Sequence, residues 1–251
     1  MKDDWSMPVG DSPLTRLDKI ICRPNSPILE IIACSVADAI AAEQGGADRL
    51  ELISHFQLGG LTPALKMVDQ VLRRVSIPVR VMLRMKPNFC LSQSKDREGL
   101  FRKAEQLCQR PIQGLVLGYL IEDRVDEALM RELLSHTSHL SVTFHRAFEQ
   151  VSDPFRAIKV LKTMPQIDRI LSNGGKGSEA AQVVRLRELA RCATPEIKML
   201  VGGGLTRDNL LVFRGAGLDE FHVGRSVRQD QLPQGAVDAA QVYALRRLLD
   251  G

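Results

Sequence analysis

From residue 28 onward the chain alternates short apolar runs with longer amphipathic segments. The runs 28–33, 49–53, 79–83, 114–117, 140–145, 168–171, 198–201 and 220–223 are rich in Val, Ile, Leu or Phe, the composition of strands buried on both faces. The segments between them read as helices. Residues 36–43 follow Ser35, a suitable N-cap, and stop at Gly45-Gly46. Asp153-Pro154 sets a capping residue before a proline at the first helical position and opens a helix over 155–161. Further helices are predicted over 208–213, ending at Gly215, and over 237–249. The joint Gly45-Gly46-Ala47-Asp48-Arg49-Leu50-Glu51-Leu52 has a counterpart in Gly215-Ala216-Gly217-Leu218-Asp219-Glu220-Phe221-His222, each running from a glycine stop through a polar link into a strand. Repetition of one joint favours a repeated architecture. Eight strand-then-helix units predict an α/β fold, a (β/α)₈ TIM barrel over 27–251, preceded by a short irregular extension over 1–26. The rival, an open doubly wound sheet, would show G-x-G-x-x-G after its first strand; here that strand runs into Ala33-Cys34-Ser35.

Composition narrows the classes without choosing a function. The 251 residues carry 34 Lys+Arg against 30 Asp+Glu, a net charge of +4, with 44% hydrophobic residues; a disordered or collagen-like chain would look different. Aromatic residues are only 4% and the basic residues are scattered, so no nucleic-acid partner is expected. Cys22, Cys34, Cys90, Cys108 and Cys192 are odd in number and form no C-x-x-C, which suggests a reducing compartment and no thiolate zinc site. The opening Met1-Lys2-Asp3-Asp4-Trp5 is acidic and leads into Pro8, Gly10 and Pro13, unlike a signal core, and no apolar run approaches the roughly 18 residues of a membrane helix. The expectation is a cytoplasmic protein with a small-molecule or metal ligand, no membrane partner, and room for a homo-oligomer.

Polar residues at strand ends mark where chemistry would sit, because a barrel places its site there. Glu30, Glu51, Arg84, His145-Arg146, Ser172-Asn173 and His222 interrupt apolar strands or end them. If they converge, Glu30 and Glu51 are expected to pair with Arg84 and Arg146, since a buried charge persists only when compensated. The same set also reads as a structural plug of ion pairs. Gly202-Gly203-Gly204 and Gly224-Arg225-Ser226 suit an anion or phosphate, with Ser172, Asn173, Gly203, Gly204, Gly224, Arg225 and Ser226 as its expected contacts and Arg228 a further counter-charge. His55 is a rim candidate, and the loop Leu58-Gly59-Gly60-Leu61-Thr62-Pro63 one wall. No organic cofactor motif is present. One reading is therefore an enzyme (lyase, aldolase-like or isomerase) acting on a small phosphorylated or acidic metabolite, with Glu30 or Glu51 as general base, His145 as general acid, and Arg84 and Arg146 facing a developing oxyanion. A divalent ion held by His145, His222 and a glutamate is a variant of it.

Glu30, Gly45 to Leu52, Gly59-Gly60-Leu61-Thr62-Pro63, Ile77-Pro78-Val79, Val142-Thr143-Phe144-His145-Arg146-Ala147-Phe148, Arg169-Ile170-Leu171, Gly202 to Gly204 and Glu220-Phe221-His222 together resemble the CutC family, in order from about residue 28 to 228. The resemblance implies a cytoplasmic TIM-type barrel, a part in copper homeostasis, and Cu(I) binding. The chain departs from the pattern at the cysteines two residues after each strand glutamate, where it has Ile32 and Ile53. Cys34 then remains the candidate thiolate, with Met82 and Met85 as soft helpers. The loop after the third strand reads Arg84-Met85-Lys86-Pro87-Asn88, the one after the sixth Ser172-Asn173-Gly174, and the C-terminal region is reduced to one helix.

Overall fold

A computed structural model describes residues 26–91, 93–137 and 139–251. The expected extension over 1–26, with Cys22, falls almost wholly outside these residues. Eight parallel strands close into a barrel: β1 (Ile28–Ala33), β2 (Arg49–Leu52), β3 (Val79–Met82), β4 (Gly114–Leu117), β7 (Ser141–Phe144), β8 (Ile167–Ser172), β9 (Lys198–Gly202) and β10 (Glu220–Val223), with β10 paired back onto β1. The helices α1 (Val36–Gln44), α2 (Leu65–Leu72), α3 (Ser94–Cys108), α4 (Glu127–Ser135), α5 (Pro154–Leu161), α6 (Glu179–Ala193), α7 (Arg207–Gly215) and α8 (Ala239–Asp250) connect and follow them. This is the predicted TIM-type architecture, and the strand ranges agree to within two residues.

Alternation of side chains sorts each strand into two environments. Leu29, Ile31 and Ala33 of β1, Leu50 and Leu52 of β2, and Val79 and Val81 of β3 join the main apolar core with helix residues such as Ala39, Val68, Leu100 and Leu245. The intervening positions turn to the barrel axis, where Ile32, Ile53, Met82 and Val116 form a separate small cluster. Both faces are buried, and the axial face of β1, β2 and β3 carries Glu30, Arg49, Glu51 and Arg80 as well as that apolar cluster. The caps are local. Ser35 Oγ accepts from the Asp38 amide at 3.0 Å, and Asp153 caps α5 with Pro154 in its first turn.

One feature escaped the sequence reading: a two-stranded hairpin, β5 (Leu120–Ile121) and β6 (Arg124–Val125), between β4 and α4. Its turn places Glu122 at φ +56, a conformation usually left to glycine or asparagine, so the usual turn signal is missing. A second departure lies in β8, where the register with β7 jumps from Val142↔Ile167 to Thr143↔Arg169. Asp168 is skipped in the pairing, and the adjacent side chains of Asp168 and Arg169 both reach partners on the barrel axis.

Candidate functional site

The axis of the barrel is polar in its lower half. Arg80 on β3 donates to both carboxylate oxygens of Asp168 at 2.7 and 2.6 Å, to Thr143 Oγ1 at 2.7 Å and to Gln113 Oε1 at 3.0 Å. Arg169 binds Glu220 through two nitrogens, and Arg49 joins Glu220 at 3.1 Å to Glu30. This is the structural plug, but built largely from residues other than those expected. Glu30 is compensated by Arg49 and His222, not by Arg84 or Arg146. Arg84 instead spends its guanidinium on the carbonyls of Leu58, Gly59, Gly60 and Pro87, and Arg146 pairs with Glu149 at 2.6 Å. The signal available in the sequence was the two-residue spacing of Arg49 with Glu51 and of Arg80 with Met82 and Arg84, which puts each set on one face of its strand.

Above the plug stands a buried array. His222 Nδ1 lies 2.7 Å from Glu30 Oε1, and its Nε2 lies 3.6 Å from Glu51 Oε2. Parallel pairing of β1 with β10 sets Glu30 directly across from His222, and pairing with β2 sets Glu51 one strand beyond. Burial works against ionising any of the three, but the neighbours decide differently for each. For Glu30, Arg49 and His222 outweigh burial and hold the carboxyl well below its ordinary range. For His222, Glu51 and Glu30 outweigh burial and favour the imidazolium. For Glu51 burial prevails, and its carboxyl is pushed up to about 7. Glu51 Oε1 has no hydrogen-bond partner among the described residues.

Glu51 and His222 form part of the floor of a cavity of about 510 Å³ at the C-terminal end of the barrel, a volume suited to a small metabolite. Ile32, Ile53, Met82, Phe56, Phe89 and Leu171 supply apolar wall, and Arg84, His145, Arg146, Gly203, Gly204, Gly224, Arg225 and Ser226 also line it. Ser226 Oγ is buried without a partner among the described residues. Of the predicted anion residues, Ser172 and Asn173 do not line the cavity. Their side chains accept from the amides of Gly174 and Gly175 at 3.0 and 2.7 Å, folding their own turn. His55 is exposed, at φ +50, and is likewise not part of the lining. Arg228 is buried on Asp38 at 3.0 Å, behind the cavity. The triple glycine serves packing as well as turn geometry: a Cβ on Gly202 would stand 2.9 Å from His222 Cβ, and one on Gly203 3.0 Å from Arg146 Cζ.

His145 differs in character from the expected acid. Its Nδ1 accepts from the Ala147 amide at 3.2 Å, so in the neutral ring the proton sits on Nε2, which is buried without a partner among the described residues. Phe89 packs on the imidazole at 4.9 Å between centroids, and Arg84 lies 4.5 Å over the Phe89 ring. Burial and then the Arg84 charge depress the imidazole to about 3. It is a neutral N–H donor rather than an imidazolium acid. The depressed basicity means that stability supplied by the neutral ring is present above its ordinary value of 6.5 and is lost as pH falls from there toward about 3. The His145→Gln variant should lack this dependence. Urea unfolding is expected to show the wild type losing about 1.4 kcal/mol per pH unit relative to the variant below pH 6.5. Parallel profiles would mean that the ring ionises freely in the fold.

Soft-metal donors are poorly placed. Ile32 and Ile53 line the cavity where the family pattern has cysteines, and Cys34, outside the lining, packs behind them. Burial pushes the Cys34 thiol up to about 11, against the thiolate that Cu(I) prefers. Among the described residues no group of three or more His, Cys, Asp or Glu side chains is arranged to hold a metal ion, so the His145, His222 and glutamate set does not form such a site. No helix among these residues is long and apolar enough to cross a membrane.

Comparison with known proteins places these features in company. A family model described as the CutC family matches residues 27–227. The copper homeostasis protein cutC homolog of Homo sapiens is 33% identical over 232 residues, 88% of this chain and 85% of that protein. Its Mus musculus counterpart is 35% identical over 234 residues, with the same coverage of 88% and 85%. A solved structure of CutC from Streptococcus agalactiae superposes with a TM-score of 0.72 at 25% identity, covering 79% of this chain and 98% of that one.

Proposed function

This chain belongs to the CutC family, and from that premise we propose that its part in copper homeostasis, the role for which the human and mouse relatives are named, runs through acid–base chemistry on a small anionic metabolite in the barrel mouth. One observation carries the reading: Glu51 Oε1, His145 Nε2 and Ser226 Oγ are all buried without partners among the described residues, and all three residues line one cavity. Unpaired buried polar atoms cost free energy unless a ligand satisfies them. Glu51 supplies a carboxyl able to gain or lose a proton near neutral pH, and His222 on Glu30 holds a positive charge beside it. Arg84 and Arg225 line the same space without a carboxylate partner among the described residues, which favours an anion.

Direct Cu(I) binding is the second reading, favoured by the packing of Cys34 in one cluster with Met82. The two readings separate in one experiment. With inorganic phosphate or ribulose 5-phosphate near 100 times the dissociation constant, stabilisation of about 2.7 kcal/mol is expected, read as an upward shift in melting temperature. The shift should shrink in Ser226→Ala and Arg225→Gln. Cu(I) titrated into the reduced protein against a competing chelator is expected to bind no tighter than micromolar, unchanged by Cys34→Ser. Tight Cu(I) binding lost in Cys34→Ser, with no shift from either anion, would reverse the assignment.

A further inference from the structure

We propose that the cavity enolises a small carbonyl compound with an anionic tail: Glu51 removes a proton from the carbon beside the carbonyl, and His145 Nε2–H donates to the carbonyl oxygen. This rests on the acid–base reading above and assigns it a substrate class and a reaction. In strand order β2 and β7 stand three positions apart in the eight-strand barrel, so Glu51 on β2 and His145 just after β7 face the cavity from nearly opposite walls. One offers a buried carboxylate oxygen and the other a buried N–H, neither with a hydrogen-bond partner among the described residues. A base and a hydrogen-bond donor on opposite sides of a small molecule are what proton removal next to a carbonyl needs.

The character of His145 chooses the chemistry further. With Nδ1 occupied by the Ala147 amide, Nε2 presents a proton and no lone pair, so it suits an oxygen that gains negative charge and does not suit a metal ion or a proton to be abstracted. A neutral imidazole used as an electrophile is a known solution to this problem in other barrels. The tail is placed by the rim. Arg146 turns Nε and Nη2 to Glu149 and keeps Nη1 beside Gly203, and Arg225 also lines the cavity. Ile32, Ile53, Met82, Phe56, Phe89 and Leu171 keep the space between base and donor apolar, which strengthens both interactions.

The step balances within the protein and its substrate. The C–H bond breaks, its electron pair forms the C=C bond of the enolate, the carbonyl pair moves to oxygen opposite His145, and the proton rests on Glu51. Glu51 then returns it to the same carbon, or, where that carbon carries a hydroxyl whose proton passes to the enolate oxygen to give the enediol and then the new carbonyl, to the former carbonyl carbon in an isomerisation, and no oxidant, reductant or second substrate enters.

The test is solvent exchange. Wild-type protein is incubated in D₂O with dihydroxyacetone phosphate or with ribulose 5-phosphate, and loss of the C–H signals next to the carbonyl is followed by proton NMR; Glu51→Gln and His145→Ala, purified identically, run alongside with melting curves. Exchange is expected in the wild type, at least about 100-fold slower in Glu51→Gln and about 10²–10³-fold slower in His145→Ala, both variants still being stabilised by the probe. A wild type that is stabilised by either probe yet exchanges no deuterium overturns the proposal and leaves the anion-binding reading standing. Absence of both stabilisation and exchange overturns the two together. Exchange that persists in Glu51→Gln also overturns the proposal, because another base, or a contaminant, is then responsible.

Discussion

Replacing Arg49 by methionine is expected to lower the unfolding free energy by about 3–5 kcal/mol, the range for removing one partner of a buried ion pair. Arg49 is 3% exposed and bridges two carboxylates, Glu30, which is fully buried, and Glu220, which is 5% exposed. Glu220 keeps Arg169 in the variant, so the damage concentrates on Glu30, left with His222 alone. The corresponding change at Arg80 should cost less, because its partner Asp168 is 29% exposed in its side chain and can recover water. A pH signature separates charge loss from simple repacking. Glu30 has a depressed ionisation in the fold, so the stability it contributes is present above its ordinary value of 4.5 and is lost as pH falls below it. Arg49 is the largest of the favourable causes, and the deficit of Arg49→Met in urea melts should therefore narrow below pH 4.5. A deficit that is constant with pH would show that packing, not charge, is what Arg49 supplies.

Gly118→Ala should slow the proposed deuterium exchange while leaving the barrel folded. Gly118 follows β4, and a Cβ there would stand 2.7 Å from His145 Nδ1 and 3.0 Å from its Cε1. The ring must move, which breaks the contact from the Ala147 amide and redirects Nε2–H away from the cavity. Overpacking of this kind costs about 1–3 kcal/mol of stability. A displacement near 1 Å of a group facing the reacting centre costs on the order of 10²-fold in rate, so deuterium exchange should fall by about that factor. Normal exchange with a folded variant would mean that the imidazole does not touch the substrate.

Much of this site was legible in the chain. Glu30, Glu51, Arg84, His145, Arg146 and His222 are polar residues in or at the ends of apolar strands, and a closed barrel brings strand ends together whatever the loops do. All but Glu30 line the cavity, and Glu30 lies beneath it against His222. Pairing was not legible. Arg49 and Glu220 meet across 171 positions of sequence, and Arg80 and Asp168 across 88, so nothing local links them. Asp168 was hidden for a further reason: in a regular strand it would face away from Arg169, and only the register jump between β7 and β8 lets both reach the axis. Ser172 and Asn173 were misplaced by the converse error. They sit at a strand end, but their side chains are consumed by the backbone of the next turn.

The sequence by itself determined the alternation of strands and helices, the caps at Ser35 and Asp153, and which polar side chains a barrel would gather at its mouth, because periodicity and capping act over a few residues. It also determined that positions 32 and 53 carry no soft-metal donor, since isoleucine offers no donor atom in any fold. The tertiary structure alone decided the state of each group. Arg49 and His222 ionise Glu30, burial leaves Glu51 close to neutrality, and the Ala147 amide turns His145 into a neutral donor. Protonation depends on desolvation and on charges a few ångströms away, and those distances exist only once the barrel has closed.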